Sequence, residues 1–158
     1  MFAGGNDFKD QKPATRTKLF ELIDLLLKKF QTAVIRDVKV TPLVSGLVTM
    51  AELEKNPSCL AVLFPLYRHI SNKWSLEDSD YEAMWESFIR YFPVTLGGAP
   101  QDPGVPTKEL IKQLLLECIL SNHNYAKGAV PRFIDMLDTN TDLSANVKVS
   151  RNLLRSRF

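Results

Sequence analysis

The amino-acid sequence predicts an all-α protein with a HEAT-like α-solenoid fold. Leucine-rich helical segments begin near Arg16, Pro57 and Thr107, at intervals of about 41 and about 50 residues, and a shorter helical segment follows each of them. A period in the forties with two helices per unit is typical of HEAT repeats. A last apolar segment, Val147 to Leu154, begins one more helix. We therefore expect three antiparallel helix pairs plus the start of a further helix.

The first helix is predicted from the spacing of its apolar residues. One set keeps the three- and four-residue spacing of a single helical face, namely Leu19, Leu22, Ile23, Leu26 and Phe30. Three further apolar residues, Phe20, Leu25 and Leu27, widen this stripe. We therefore expect this helix to be covered on more than one side.

Four more helices carry start signals. Thr41-Pro42 and Asn56-Pro57 each place a capping residue before a proline that suits the first helical position. Ser79 and Glu82 form a predicted capping box, and Thr107 precedes the fifth helix.

Two prolines and one glycine inside the predicted helices have expected effects on helix geometry and packing. Pro65 and Pro131 are predicted inside helices, where proline favours a kink. Gly46 lies inside the second helix and is expected to permit close helix packing. Asn124 to Leu137 forms the sixth helix, and Asp142 or Ser144 starts the last one.

A long break from Pro93 to Pro106 contains four prolines and three glycines. It is unusually long for a connection inside a compact domain. The favoured interpretation is structural, with a tight turn at Asp102 to Gly104. The alternative is a partner-binding loop, because an extended proline-rich backbone loses little entropy on binding. Its candidate binding residues are Tyr91, Phe92, Pro93, Asp102, Pro103 and Gly104.

These elements predict three regions along the chain. Residues 1–13 are expected to be a flexible lead-in, and residues 14–150 form the helical domain. Because every repeat needs a neighbour, we expect an exposed apolar face around Val147, Leu153 and Leu154. Residues 151–158 form a basic tail, which we interpret as a solvated end and as the product of a misread exon boundary.

Composition indicates a soluble intracellular protein. The chain has 20 basic and 18 acidic residues and a net charge of +2, so charge singles out no class of partner. The two cysteines, Cys59 and Cys118, lie in apolar helical runs and are interpreted as buried thiols in a reducing compartment. The longest apolar run is far below the ~20 residues of a membrane span. The N-terminus does not match a secretory signal.

No group of residues predicts catalysis, metal binding or a cofactor. His69, His123 and the two cysteines are not neighbours in sequence, whereas structural metal sites usually use close pairs. An acidic cluster from Glu77 to Glu86 lies at a helix N-terminus, where negative charge is stabilising. We therefore predict that this chain is not an enzyme.

Several specific segments resemble the N-terminal region of the Mms-nineteen family. They are Gly46-Leu-Val, Glu54-Lys-Asn-Pro57, Tyr91-Phe-Pro93, Pro100-Gln-Asp-Pro-Gly-Val105, Val130-Pro131 and Val147-Lys-Val149. The resemblance covers roughly residues 16 to 150, and its most specific element is Tyr-Phe-Pro followed by the Asp-Pro-Gly loop. Asn56 stands where the family usually has Asp. The chain is then expected to be an N-terminal fragment or a truncated gene model.

The resemblance implies a HEAT-repeat scaffold of the cytosolic iron–sulfur assembly (CIA) targeting complex in the nucleus and cytoplasm. It implies delivery of clusters to apoproteins of DNA repair, replication and transcription, with assembly components and client apoproteins as partners. One alternative is a HEAT module of another kind, such as a nuclear transport or phosphatase scaffold. A third is a nucleic-acid-binding repair factor that uses the basic tail with Arg16, Lys18 and Lys39.

Overall fold

A computed structural model describes residues 8–32, 39–94 and 104–139, with the backbone alone described for residues 136–139. Within these ranges every regular element is helical, which confirms the predicted all-α class. The elements are a 3₁₀ turn at Phe8–Asp10, α1 at Pro13–Lys29, α2 at Val40–Ala51, α3 at Pro57–Lys73, α4 at Asp78–Ile89, α5 at Lys108–Ile119 and α6 at His123–Thr139.

The chain divides into two compact units, residues 1–126 and residues 127–158. The described part of the first unit contains α1 to α5 and the first turn of α6. The described part of the second unit is the remainder of α6. This helix continues past Pro131 and ends at Thr139.

The first unit has two rows of helices. Helices α1, α3 and α5 form one row with α3 in the middle, because α3 packs against both of the others. Helices α2 and α4 pack together in the second row, and α4 also contacts α3 and α5. Packed helix pairs in two rows are the arrangement of an α-solenoid, as the sequence predicted.

The core of the first unit is centred on α3. Its buried side chains point in several directions around the helix, and they are Cys59, Leu60, Leu63, Phe64, Leu66, Tyr67, Ile70 and Ser71. The neighbouring helices add fully buried residues, among them Phe20, Met84, Phe88 and Ile111. Burial of this apolar surface is the main driving force for the fold.

Hydroxyl groups inside the core are hydrogen-bonded. The Tyr67 hydroxyl lies 2.7 Å from the Ser87 oxygen, which joins α3 to α4. The Ser71 hydroxyl donates to the carbonyl of Tyr67 at 2.8 Å and also bonds the hydroxyl of Tyr125. The Asn122 amide donates to the carbonyl of Ser71 at 3.0 Å. These bonds satisfy buried polar groups that would otherwise be destabilising.

Two of the predicted helix starts are confirmed. The Asn56 side chain accepts from the amides of Ser58 and Cys59 at 3.0 and 3.4 Å, with Pro57 as the first helical residue. The Thr107 side chain accepts from the amide of Leu110 at 3.1 Å. Pro65 and Pro131 lie inside their helices, as the sequence predicted.

The predicted start of α2 is wrong. The helix begins at Val40 after Lys39, so that Pro42 is its third residue rather than its first. The Thr41 hydroxyl does not cap the helix but donates to the buried carboxylate of Asp80 at 3.0 Å. A bond to α4, 39 residues away in sequence, has replaced the local cap.

The predicted capping box of α4 is also wrong. The helix begins at Asp78, with Glu77 in the capping position, rather than after Ser79. Asp80 takes the role expected of Glu82, and its carboxylate accepts from the backbone amide of Glu77 at 3.3 Å. Because Asp80 lies buried against Thr41, the helix start is fixed by packing between α2 and α4.

Gly46 does not serve close packing. A side-chain carbon added at this position would meet no atom within 4 Å, so the expectation of a close approach is wrong. The residue is exposed within α2.

Several predicted segments lie partly or wholly outside the described residues. Within the expected lead-in, the structure describes the 3₁₀ turn, and the Phe8 ring packs on that of Phe20 with 5.2 Å between the ring centres. The last predicted helix, its apolar face at Val147, Leu153 and Leu154, and the basic tail at 151–158 lie outside the described ranges.

Candidate interaction surface

Tyr91, from the predicted binding loop, is an anchor in the structure. It follows α4 and is half-buried, with its ring 5.6 Å from that of Phe64 in an edge arrangement. Its hydroxyl donates to the carbonyl of Ala51 at 3.3 Å, which ties the end of α4 to the end of α2. Burial raises the pKa of Tyr91 to about 12, so the hydroxyl stays protonated and continues to donate.

The remaining predicted loop residues differ in their burial, and two of them are not described by the structure. Phe92 is half-buried, Pro93 is exposed, and the following residue Val94 is buried. Asp102 and Pro103 lie outside the described residues. Gly104 is exposed and has a φ of +104°, a backbone conformation that suits glycine. The exposed residues in the described part of this loop are therefore Pro93, Gly104 and Val105.

A buried ion pair fixes the position of α1. The Arg16 guanidinium binds both carboxylate oxygens of Glu54, with Nε–Oε2 at 2.7 Å and Nη2–Oε1 at 3.0 Å. The Arg16 and Glu54 side chains are only 15% and 3% exposed. Glu54 Oε1 also accepts from the amides of Lys55 and Asn56 at 3.0 and 2.9 Å. This network fastens α1 to the connection between α2 and α3.

The charge on Glu54 is stabilised by these partners. Burial alone would raise its pKa, but the hydrogen bonds from Arg16 and the Asn56 amide and the Arg16 charge outweigh burial and lower it. The hydrogen bond to Glu54 in turn raises the pKa of Arg16, so the guanidinium stays charged. Arg16 is thus engaged inside the fold, which argues against its predicted alternative role as a nucleic-acid contact.

The largest run of exposed apolar side chains lies on α1. Leu19, Leu22, Leu25 and Leu26 are 37%, 50%, 58% and 44% exposed, and Phe30, at the capping position directly after the helix, is 48% exposed. The buried residues of this helix are Phe20 and Leu27. The expectation that α1 is covered on more than one side is therefore wrong. Most of the stripe predicted from the spacing is solvent-exposed, and the side of the helix that carries Phe20 and Leu27 is the buried one.

Lysines are the prominent charges around this exposed face. Lys18 pairs with Glu21 and Lys28 pairs with Asp24, each at 2.7 Å. The lysine side chains are 78% and 53% exposed, whereas their acidic partners are 44% and 21% exposed. The Lys29 ammonium lies 5.7 Å from the centre of the Phe30 ring. The charges that reach farthest into solvent are therefore positive.

A crevice of about 330 Å³ lies beside the Arg16–Glu54 pair. Lys9, Met50, Glu52, Leu53 and Lys55 are among the residues that line it. Leu53 is 68% exposed and has a φ of +61°, which is unusual for a residue with a branched side chain. The Lys9 ammonium bonds the Glu52 carboxylate at 2.6 Å across this crevice, so charges of both signs line it.

The two cysteines are buried, as the sequence predicted. Cys59 and Cys118 are buried free thiols, and burial raises the pKa of both. Such thiols are poor nucleophiles because the reactive form is the thiolate. His69 packs edge-on against Trp74 at 5.5 Å, and burial lowers its pKa.

Across residues 8–32, 39–94 and 104–139, no three metal-ligating side chains converge. None of the described helices is long and apolar enough to cross a membrane.

Comparisons with known proteins agree on one family. A family model described as "Dos2-interacting transcription regulator of RNA-Pol-II", the MMS19 N-terminal model, matches residues 3–153. The curated "MMS19 nucleotide excision repair protein" of Drosophila melanogaster is 28% identical over 131 residues. The match covers 83% of this chain and 13% of that relative, so the chain spans a small part of the relative's length. No solved structure gives a significant match.

Proposed function

We propose that this chain, which belongs to the MMS19 N-terminal family, is a non-catalytic, protein-binding segment of a larger helical scaffold. The match of the family model to residues 3–153 is the observation that carries the proposal. The two rows of helices support it, because solenoids present extended surfaces to other proteins.

The scaffold serves proteins of DNA repair and transcription. The names of the matched family and of the Drosophila relative refer to transcription by RNA-Pol-II and to nucleotide excision repair. We further propose that it acts in the CIA targeting complex, in the nucleus and the cytoplasm. The iron–sulfur cluster is then cargo that partner proteins carry, and this segment positions the recipient apoproteins.

The chemistry of the described residues is compatible with a role in binding rather than catalysis. Cys59 and Cys118 are held as neutral thiols, and Asp80 serves to join helices. The basic groups of α1 are engaged in ion pairs or, for Lys29, lie against an aromatic ring. Binding to nucleic acid through Arg16 would require breaking its two bonds to Glu54, so the protein-binding role is favoured.

Affinity capture tests this function directly. The chain is expressed within its full-length parent protein and recovered from cells, and the bound proteins are quantified. The expected result is enrichment of iron–sulfur assembly components together with iron–sulfur enzymes of DNA repair. Recovery of nuclear transport or phosphatase subunits in their place would assign the solenoid to another class. Salt-sensitive retention of the isolated chain on duplex DNA would favour the nucleic-acid alternative.

A further inference from the structure

The connection between α3 and α4 is extended at both of its ends and carries an exposed serine. Trp74 at its start has a φ of −110° and a ψ of 148°, and Glu77 at its end has a φ of −75° and a ψ of 158°. Side chains alternate between the two sides of an extended segment. Trp74 is buried and Leu76 is half-buried, whereas Ser75 and Glu77 are exposed. The Ser75 hydroxyl and the Glu77 carboxylate therefore lie on the solvent side of this connection.

Acidic residues with open charges follow Ser75 closely. Glu77 comes two residues after it, and Asp78, the first residue of α4, comes three residues after it. Both are exposed, and neither forms an ion pair with a basic side chain of the described residues. Protein kinases discriminate among substrates by the charges that flank the hydroxyl. A hydroxyl followed by unpaired carboxylates suits a kinase whose substrate site is basic.

A serine or threonine with an acid three residues later occurs three times among the described residues, and Ser75 is the one outside a helix. Thr49 is the first of the other two and lies in α2. Its hydroxyl donates to the carbonyl of Ser45 at 2.9 Å. The acid that follows it, Glu52, is paired with Lys9 at 2.6 Å. Both groups that a kinase would need at Thr49 are therefore already engaged.

Ser79 is the second alternative and lies inside the first turn of α4, with Glu82 three residues later. An extended kinase site could take Ser79 only if this turn unwound. Unwinding would break the bonds that the Asp80 carboxylate accepts from the Thr41 hydroxyl and the Glu77 amide. Asp80 is only 3% exposed, so its carboxylate is also out of reach of a kinase. The fold therefore protects Ser79 and leaves Ser75 accessible.

We propose that Ser75 is phosphorylated by a protein kinase whose substrate site is lined by lysine and arginine. The Ser75 Oγ attacks the γ-phosphorus of magnesium-bound ATP, the bond from that phosphorus to the bridging oxygen breaks, and ADP leaves. The hydroxyl proton passes to the catalytic aspartate of the kinase. Basic side chains of the kinase pair with Glu77 and Asp78. This modification goes beyond the proposed scaffold role and does not depend on it.

The fold can accept the added charge at this position. A phosphate carries about two negative charges near neutral pH, and on Ser75 it would remain in water. It would lie just before the first residue of α4, at the positive end of the helix dipole. That dipole offsets the repulsion from Glu77 and Asp78. We therefore expect phosphorylation to make this surface more acidic and to leave the helical circular dichroism spectrum unchanged.

The test uses the folded 158-residue chain with magnesium, ATP and casein kinase II, a kinase with a basic substrate site. Mass spectrometry of proteolytic fragments measures the initial rate of phosphorylation at each hydroxyl. Phosphate is expected on Ser75 at least about tenfold faster than on Ser79 or Thr49, because those residues must first leave their helices. A synthetic peptide of residues 72–84 is the unfolded reference, since it is too short for a stable helix. In this peptide Ser75 and Ser79 should both be phosphorylated.

Variants locate the recognition to the acids after Ser75. Asp78→Asn is expected to lower kcat/KM at Ser75 about tenfold, because one ion pair with the kinase is lost. Glu82→Gln is the matched control: it neutralises an exposed acid of the same helix and should leave the Ser75 rate unchanged. Ser75→Ala should remove the phosphate from this connection. Misfolding cannot imitate this pattern, because an unfolded chain would also take phosphate on Ser79.

Several results would overturn the inference. These are no phosphate on Ser75 of the folded chain, equal rates at Ser75 and Ser79 in the folded chain, or an unchanged rate in the Asp78 variant. The full-length parent recovered from cells under phosphatase inhibition should carry phosphate on Ser75. A parent with phosphate on Ser79 and none on Ser75 would contradict the proposal as well.

Discussion

Helices α1 and α3 each have 17 residues and a proline in the first turn, but they have different environments. The α3 helix lies between α1 and α5 and buries eight residues, whereas α1 buries two. Four leucines of α1, and Phe30 directly after the helix, remain exposed. The difference shows that similar leucine content serves two purposes, a core in α3 and a surface in α1.

Polar bonds distinguish the two helices as well. The hydroxyls of Tyr67 and Ser71 on α3 are buried and bonded to α4 and to Tyr125. The main long-range polar bond of α1 is the Arg16–Glu54 pair, which holds one side of the helix. A helix that is held on one side can present the other side to a partner without disturbing the core.

The largest predicted effect compares leucine truncations on the two helices. Leu63→Ala on α3 is expected to lower the free energy of unfolding by about 2–5 kcal/mol, because the side chain is fully buried and leaves a cavity. Leu22→Ala on α1 is expected to lower it by less than about 1 kcal/mol, because half of the side chain is already in water. Urea unfolding followed by circular dichroism measures both. Equal losses would contradict the contrast.

The ion pair that positions α1 should come next in size. Glu54→Gln leaves Arg16 without its charged partner and is expected to destabilise the chain by about 2–3 kcal/mol near neutral pH. Glu52→Gln is the control and should leave stability unchanged, because Glu52 and its partner Lys9 are both exposed. Chemical unfolding of the wild-type chain and the two variants measures these differences in stability. A Glu52 variant as unstable as the Glu54 variant would remove the special role of the buried pair.

The same pair predicts a pH dependence. The folded pKa of Glu54 is below its ordinary value of 4.5, so its contribution is complete above that pH and is lost as pH falls through the lower folded pKa. The stability difference between the wild-type chain and Glu54→Gln should therefore be constant at neutral pH and shrink on acidification below the ordinary value. Unfolding measured across this range checks the sign. A difference that grew in acid would show that the carboxylate is not stabilised by folding.

A smaller effect is expected from the hydroxyl bonds of α3. Ser71→Ala removes the bond to Tyr125 and should lower stability by about 1–2 kcal/mol. Asn72→Ala, at an exposed position on the same helix, is the control and should have little effect. Both are measured by thermal and urea unfolding. An unchanged Ser71 variant would mean that the buried hydroxyls contribute nothing to the difference between the helices.

The smallest effect is expected at Gly46, which extends the comparison to α2, and Gly104 provides a contrasting glycine. Gly46→Ala should stabilise the chain by about 0.5–1 kcal/mol, because the residue is helical, exposed and free of contacts. Gly104→Ala should destabilise it by about 1–2 kcal/mol, because a φ of +104° strains any side chain. Unfolding midpoints compare the two. A destabilising Gly46 variant would indicate that α2 needs a close approach after all.

Local chemistry explains why some of the helix starts were predicted correctly from the sequence. Asn56 and Thr107 satisfy amides within their own first turns, so their role follows from adjacent residues alone. Thr41 and Ser79 carry the same signal, but the actual starts depend on Asp80, which contacts Thr41 across 39 residues. A contact at that separation is not visible in local sequence, and it overrides the local preference.

The orientation of α1 was beyond prediction for a similar reason. Apolar spacing reveals how wide a stripe is, but not which part of it another helix covers. That choice depends on contacts between distant parts of the chain, such as the bond between Arg16 and Glu54, which are 38 residues apart. Glu54 directly precedes Lys55-Asn56-Pro57, and an acidic residue beside a helix start gave no separate signal of burial. The binding-loop residues Asp102 and Pro103 stay predictions, since they lie outside the described residues.

Hydrogen exchange of the 158-residue chain tests the contrast between α1 and α3 most directly. We expect the slowest amide exchange in α3 and faster exchange in α1, because α3 buries eight residues and α1 buries two. Exchange as slow in α1 as in α3 would contradict the contrast between a core helix and a helix that is covered on one side.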